Sequence, residues 1–161
     1  MKVKLLRTDD RLIHGQVMVR WISYLKLKNI LIFDDTIAKN PVMASIFKLA
    51  CPKDVNLIIK TLDEIEDAKT ILKGLEDKTI ILTKSPIIME QVLKGGVSSE
   101  LGYNIGPISS KAGAKKVTPF CHLMDDEIEA LKRISKTGIK IFFQQVPNSE
   151  ILYWDQIENK F

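Results

Sequence analysis

Short apolar runs alternate along the chain with longer stretches in which apolar positions recur every three to four residues. VKLL precedes QVMVRWISYL, NILIF precedes PVMASIFKLA, VNLIIK precedes LDEIEDAKTILKG, and TIILT precedes PIIMEQVLKGG. The short runs suit strands and the longer ones amphipathic helices, so the order predicts repeated βαβ units. The runs after Asn56 and Thr79 are apolar at consecutive positions, as expected of strands covered on both faces. The fold class is therefore α/β: an open, mostly parallel β-sheet with helices on both faces. At 161 residues the chain reads as a single domain over 1–161, long enough for one core and short for two.

Punctuation agrees with these elements. Pro41 follows Asn40, and Pro86 follows Ser85, as a proline in the first helical position follows its cap. Gly74 and the Gly95-Gly96 pair stand where helices should stop. Beyond Gly96 the pattern changes to a loop-rich segment, ELGYNIGPISSKAGAKKVTPF, then a helix, DDEIEALKRISKTG, and a late strand, IKIFFQQV. The glycine-containing segment reads as a functional or partner-facing loop leading to a sheet edge.

Composition narrows the classes. Hydrophobic residues make up 45% and charged residues 27%, the balance of a globular protein. The formal net charge of +4 raises nucleic acid as a partner, but Lys115-Lys116 is the one adjacent basic pair, not a concentrated stripe. Neither GxGxxG nor GxxxxGK[ST] occurs, so no nucleic-acid or nucleotide site is expected. A positive surface equally suits an acidic protein or a phosphorylated ligand. Cys51 and Cys121 have no CxxC spacing and the start MKVKLLRTDD is no secretory leader, so neither a disulfide framework nor a zinc site is signalled. The expected location is the cytoplasm. No apolar run approaches the roughly 20 residues of a membrane helix, so any membrane connection passes through a partner.

Ligands of an open parallel sheet bind outside the carboxyl ends of its strands. The first strand-to-helix connection, RTDDRLIHG, is the densest in chemistry. His14 supplies a ring nitrogen that is nucleophilic when unprotonated, and Gly15 lets backbone approach a ligand. The amides of Gly15, Gln16 and Val17 would open a helix, which attracts anions. Arg7 and Arg11 carry forked donors matched to phosphate oxygens. Phosphoryl transfer needs little beyond such positioning and charge stabilisation. Asp9 or Asp10 would orient the imidazole through one ring nitrogen. Residue type alone equally fits loop capping by the aspartates and ordinary ion pairing by the arginines. Asp10 and His14 lack the further ligands a metal requires, and this chemistry needs neither a metal nor an organic cofactor.

DDRLIHGQV after a short first strand closely resembles the active-site loop of the IIB proteins of the mannose, fructose and sorbose family of the bacterial phosphotransferase system. The likeness continues through FDD, LTKSP, LKGGV, YNIG, AGAKKVTPFCHLMDDEI and IFFQQVP. It implies a phosphocarrier enzyme, a protein phosphohistidine–sugar phosphotransferase. His14 would take a phosphoryl group from a IIA partner and pass it to a sugar entering through the membrane IIC and IID components, with which the chain would associate peripherally. Homo-oligomeric complexes are also implied. His14, Asp10 and Arg11 become the catalytic set, with Arg7, Gly15 and Gln16 holding phosphate. Thr83, Lys84 and Ser85 of LTKSP would add a second wall on the same sheet edge, although Ser85 as a helix cap and Lys84 as a solvated lysine fit the sequence equally well. Pro107 departs from the glycine or asparagine that many members carry after NIG. His122, in FCHLMDD, matches no family phosphosite and reads as a sheet-edge or surface residue.

Three rivals remain. A receiver-type domain would need a phosphoacceptor aspartate after the third strand, where Lys60 and Thr61 stand; Asp34 and Asp35 end the second. A nucleic-acid module would rest on charge alone. A IIB-like regulator would carry phosphate on His14 without touching sugar.

Overall fold

The computed structural model describes residues 1–161. Its strands are β1 Lys2–Val3, β2 Leu5–Thr8, β3 Asn29–Phe33, β4 Asn56–Lys60, β5 Thr79–Thr83, β6 Ser98–Ser99, β7 Tyr103–Ile105, β8 Lys115–Thr118, β9 Cys121–Leu123, β10 Ile141–Phe143 and β11 Leu152–Tyr153. The helices are α1 Gly15–Leu25, α2 Asp35–Ala38, α3 Pro41–Ala50, α4 Ala68–Ile71, α5 Pro86–Lys94 and α6 Asp125–Ser135. A seven-stranded sheet runs in the order β11-β10-β7-β2-β5-β3-β4, with only β11 antiparallel. The mostly parallel sheet read from the sequence is the one observed.

Strand alternation sorts the core onto two faces. Leu6, Ile81 and Phe143 pack with Met89 and Val92 of α5 and Leu131 of α6. Leu5, Ile80, Leu82 and Phe142 pack on the other face with Met18, Trp21 and Ile22 of α1. Each fully buried aliphatic contributes about 1.5–3 kcal/mol, whereas an exposed ion pair such as Lys39–Asp35 is screened by solvent and adds little. Burial on the sheet therefore decides the architecture. The expected caps are present: Asn40 Oδ1 accepts from the amides of Val42 and Met43, and Ser85 Oγ accepts from that of Ile88.

Three expectations change in detail. LDEIEDAKTILKG is a 3₁₀ turn over Asp63–Asp67 followed by the four-residue α4. The Glu64 carboxylate accepts from the Thr61 amide and hydroxyl and pairs with Lys60, tying up the entry. The segment read as loop around YNIG contains β7, an interior strand of the main sheet, and AKKVTPFCHL forms the β8–β9 hairpin. Three residues are too few to reveal strand periodicity. Arg7 and Thr8 belong to β2, so the first loop begins at Asp9 rather than at Arg7.

One ion pair is more than surface decoration. Glu90 of α5 is largely buried and accepts from Arg133 Nε at 2.8 Å and Nη2 at 2.9 Å, with Lys94 Nζ at 2.9 Å. Hydrogen bonding to Arg133, stronger than the opposing desolvation, pulls its pKa from the ordinary 4.5 to about 2. A depressed carboxylate adds stability that is fully present above the unfolded pKa and is lost as pH falls through the folded one. Glu90→Gln is thus expected to lower the melting temperature most at neutral pH, with the gap to wild type closing between pH 4.5 and about 2. A gap independent of pH would contradict this assignment.

Candidate functional site

β2 is the middle strand of the seven. Its connection, α1, packs on one face, while α5, which follows the neighbouring β5, packs on the other. Adjacent strands whose connections leave in opposite directions open a crevice at the carboxyl edge of the sheet. The loop Asp9–His14 lies at that edge.

The loop is built on Asp9. Its amide donates to Thr83 O (3.1 Å), its Oδ1 accepts from the Arg11 amide (3.1 Å), and its carbonyl accepts from the Leu12 amide (2.9 Å). This closes a tight turn in which Leu12 is left-handed, with φ of 57°. A non-glycine residue there is uncommon and costs about 1–3 kcal/mol, a strain that persists only where surroundings over-determine it. Here the constraint is burial: Leu12 and Ile13 are both sunk into the core on the α1 face. Two anchored residues hold the next one out. His14 is exposed, extended (φ −136°, ψ 102°), and occupies the N-cap of α1 without a side-chain cap bond. Gly15 has φ of 41° and open space where a Cβ would stand, so its backbone, not crowding, calls for glycine. Gly15, Gln16 and Arg11 are exposed, and Arg11 has no carboxylate partner among the ion pairs of the chain.

Arg7 lies beneath this surface. It is fully buried and pairs with buried Asp9 at 2.8 Å. Its guanidinium also donates to Asn104 Oδ1 and to the carbonyls of Gln144 (3.2 Å) and Gln145 (3.3 Å), and stacks 5.4 Å from the Trp21 ring centroid. Burial pulls its pKa below the usual arginine value, against the opposing pull of Asp9. Gly106 completes the enclosure, since a Cβ there would stand 2.2 Å from Arg7 Nη2 and 2.5 Å from Cζ. Gly106→Ala is accordingly expected to cost about 1–3 kcal/mol in denaturant unfolding, the usual penalty of overpacking; no loss would mean the guanidinium can move aside freely.

The other expected residues divide. Neither aspartate bonds the imidazole: both oxygens of Asp9 are engaged below it, and Asp10 Oδ2 accepts from the Ser109 amide at 2.7 Å while Oδ1 has no partner. With Asp10 N donating to Pro107 O (3.1 Å), the segment carrying Pro107 is fastened to the histidine loop. Thr83 is buried, bonded to Thr8 Oγ1 (3.0 Å) and Ser85 O (3.1 Å). Lys84 reaches Asp34 at 2.8 Å. Ser85 caps α5. His14, Gly15, Gln16 and Arg11 thus share one exposed surface, with Arg7 and Thr83 in the support below.

Sequence reading assigned no role in the site to Trp21 or Tyr103, and did not make Asn104 a partner of Arg7. Asn104 accepts from Arg7 and gives its own amide to Gln144 O at 3.2 Å; Trp21 Nε1 donates to Gln145 O at 3.3 Å. Tyr103 shares a 2.6 Å hydrogen bond with Thr8 Oγ1, and burial raises its pKa. The signal available for this network was an asparagine between the apolar residues of YNI.

The chain matches the family model of the PTS system sorbose subfamily IIB component over residues 3–160. It is 28% identical over 155 residues to the sorbose-specific EIIB component of Lacticaseibacillus casei, covering 94% of each chain. It is 26% identical over 146 residues to the mannose-specific EIIAB component of Escherichia coli K12, covering 91% of this chain but 45% of that protein, so it spans about half the length of that relative. In structure it resembles manxB from Thermoanaerobacter tengcongensis (TM-score 0.87, 28% identity, covering 99% of this chain and 96% of that one). The fold is shared too with the IIBSor domain of the Klebsiella pneumoniae sorbose permease (TM-score 0.89, 24% identity, covering 99% and 98%). No helix is long and apolar enough to cross a membrane. The chain belongs to the sorbose-subfamily IIB components, sugar-specific parts of the phosphotransferase system.

Proposed function

We propose that residues 1–161 act as a phosphocarrier in which His14 accepts a phosphoryl group from a phosphorylated IIA protein and delivers it to a sugar entering through membrane IIC and IID components. The observation that carries this reading is the exposed N-cap histidine at the carboxyl edge of the central strand, its helix start left without a side-chain cap. A ring nitrogen of His14 attacks phosphorus, the donor P–N bond breaks as the new one forms, and the donor imidazole leaves with its electron pair. In the second step a sugar hydroxyl oxygen attacks phosphorus as the His14 P–N bond breaks, the hydroxyl proton passes to solvent, and the His14 imidazole is regenerated.

The uncapped amides of Gly15 and Gln16 receive the phosphoryl oxygens, aided by the helix dipole. Arg11, exposed and unpaired, supplies a mobile fork to the same charge. Arg7 and Asp9 serve as positioning residues: through the Arg11 amide and the Leu12 turn they set where His14 emerges. Asp10 holds the Pro107 segment against the loop. Lys84, paired with Asp34 at 2.8 Å, is the cation of the second wall, and it joins the phosphate only by leaving that pair.

The test incubates the protein with labelled phosphoenolpyruvate, the two general phosphotransfer proteins and a cognate IIA. Expected is one acid-labile, alkali-resistant phosphate per chain, mapped to the peptide containing His14, and its discharge to sugar on adding permease membranes. An acid-stable or acyl phosphate would overturn the histidine assignment. Label on His14 that no sugar discharges would point instead to a regulatory phosphoprotein.

A further inference from the structure

Six large apolar side chains are substantially exposed, and they fall into two groups. Val42, Ile46 and Leu49 are exposed on α3, whose Met43, Ala44 and Phe47 pack against the core. Tyr24 (58% exposed), Leu101 (39%) and Ile151 (41%) instead surround one cavity of about 530 Å³. Its walls are aromatic: Trp21, Phe142 and Tyr153, with Tyr24 at the mouth. A concave, mostly apolar hollow of this size is what a small organic molecule fills.

The charged groups at this cavity have one sign. Lys4, Lys26 and Lys140 line it without any carboxylate lining it too. Lys4 is paired with Glu100 at 2.7 Å, whereas Lys26 and Lys140 have no ion-pair partner. Lys140 is held 4.2 Å from the Tyr153 ring centroid, which places an ammonium beside an aromatic wall. An occupant meets flat apolar surface within and unpaired positive charge at the rim.

The cavity is not the His14 site. Lys26 caps the carboxyl end of α1, and His14 its amino end, with the eleven residues of the helix between them, about 18 Å at 1.5 Å per residue. The two are nevertheless joined, because Trp21 walls the cavity and also stacks on Arg7 beneath the loop.

We propose that this cavity binds a small amphipathic anion, a flat apolar body carrying one carboxylate, sulfonate or phosphate, at a site distinct from the phosphoryl-acceptor loop. The test uses 8-anilinonaphthalene-1-sulfonate as probe and its uncharged relative N-phenyl-1-naphthylamine as control, on the intact unphosphorylated chain, followed by fluorescence and by ¹⁵N NMR of the two indoles. Expected is saturable one-to-one binding of the sulfonate, movement of the Trp21 indole signal with that of Trp154 unchanged, and at least tenfold weaker sulfonate binding in Lys26→Glu/Lys140→Glu. The neutral probe should bind that variant and wild type equally. Both lysines are exposed, so the variant keeps its fold, as circular dichroism would verify. The proposal is overturned if no saturable binding occurs, if binding leaves the Trp21 indole signal where it was, or if charge reversal leaves the affinity unchanged. None of these readouts involves phosphate transfer, so the proposal stands or falls independently of the phosphocarrier reading.

Discussion

His14→Ala is expected to take up no phosphoryl label from phosphorylated IIA while unfolding at the same denaturant concentration as wild type. The side chain is exposed and makes no cap bond, so its removal falls within the roughly ±0.5 kcal/mol typical of surface changes. His14→Asn sharpens the point. Asparagine is among the best N-caps and would satisfy an amide of the first turn of α1. That variant should be as stable as wild type or up to about 1 kcal/mol more so, yet equally unable to carry phosphate. Stability and function then move in opposite directions at one residue. Label retained by either variant would remove His14 from the mechanism.

An empty cap is a modest sacrifice of helix stability that leaves amides available to an anion. Side-chain caps are filled on three other helices, by Asp34 on α2, Asn40 on α3 and Ser85 on α5, while α4 and α6 start without one. The contrast lies in the sequence itself, where residues 40 and 85 are an asparagine and a serine and residue 14 is a histidine.

Much of the fold was legible for a simple reason. β3 and β5 are continuous apolar runs bounded by turns, and α1 and α5 carry apolar residues at helical spacing, so periodicity and length both speak. β7 was hidden because three residues carry no period, and its hydrogen bonds to β2 and β10 are long-range. The exposed half of the site, His14 with Arg11, Gly15 and Gln16, is contiguous in sequence and was visible as a dense polar stretch. The supporting half was not, since Arg7 gathers partners from residues 9, 104, 144 and 145. One clue was present. In LLRT, strand alternation places Arg7 on the same face as Leu5, and a charge on a core face signals a partner elsewhere in the chain.

That buried partner network sets the second large expectation: Arg7→Ala should lose about 3–5 kcal/mol in urea unfolding, the cost of breaking a buried ion pair from one side. The substitution strands the Asp9 carboxylate, 1% exposed, together with Asn104 Oδ1 and two backbone carbonyls, and opens a void beside Trp21. Arg7→Lys keeps the charge but cannot reach four acceptors with a planar fork, so it should fall between wild type and alanine. Arg7→Ala/Asp9→Ala should cost less than the sum of its parts, because removing both charges leaves neither stranded. The contrast with Arg11 assigns the two arginines their separate work. Arg11→Ala, exposed and unpaired, should leave stability unchanged but slow label uptake by about tenfold or more, as loss of a charge-stabilising donor does. If Arg7→Ala unfolds within about 1 kcal/mol of wild type, or Arg11→Ala carries the stability loss instead, the division into a structural arginine below the loop and a phosphate-facing one upon it fails. The measurement is decisive because the Leu12 turn is strained and needs its base: without the Arg7–Asp9 pair, nothing fixes the Asp9 carboxylate that accepts from the Arg11 amide, and His14 loses its defined point of exit.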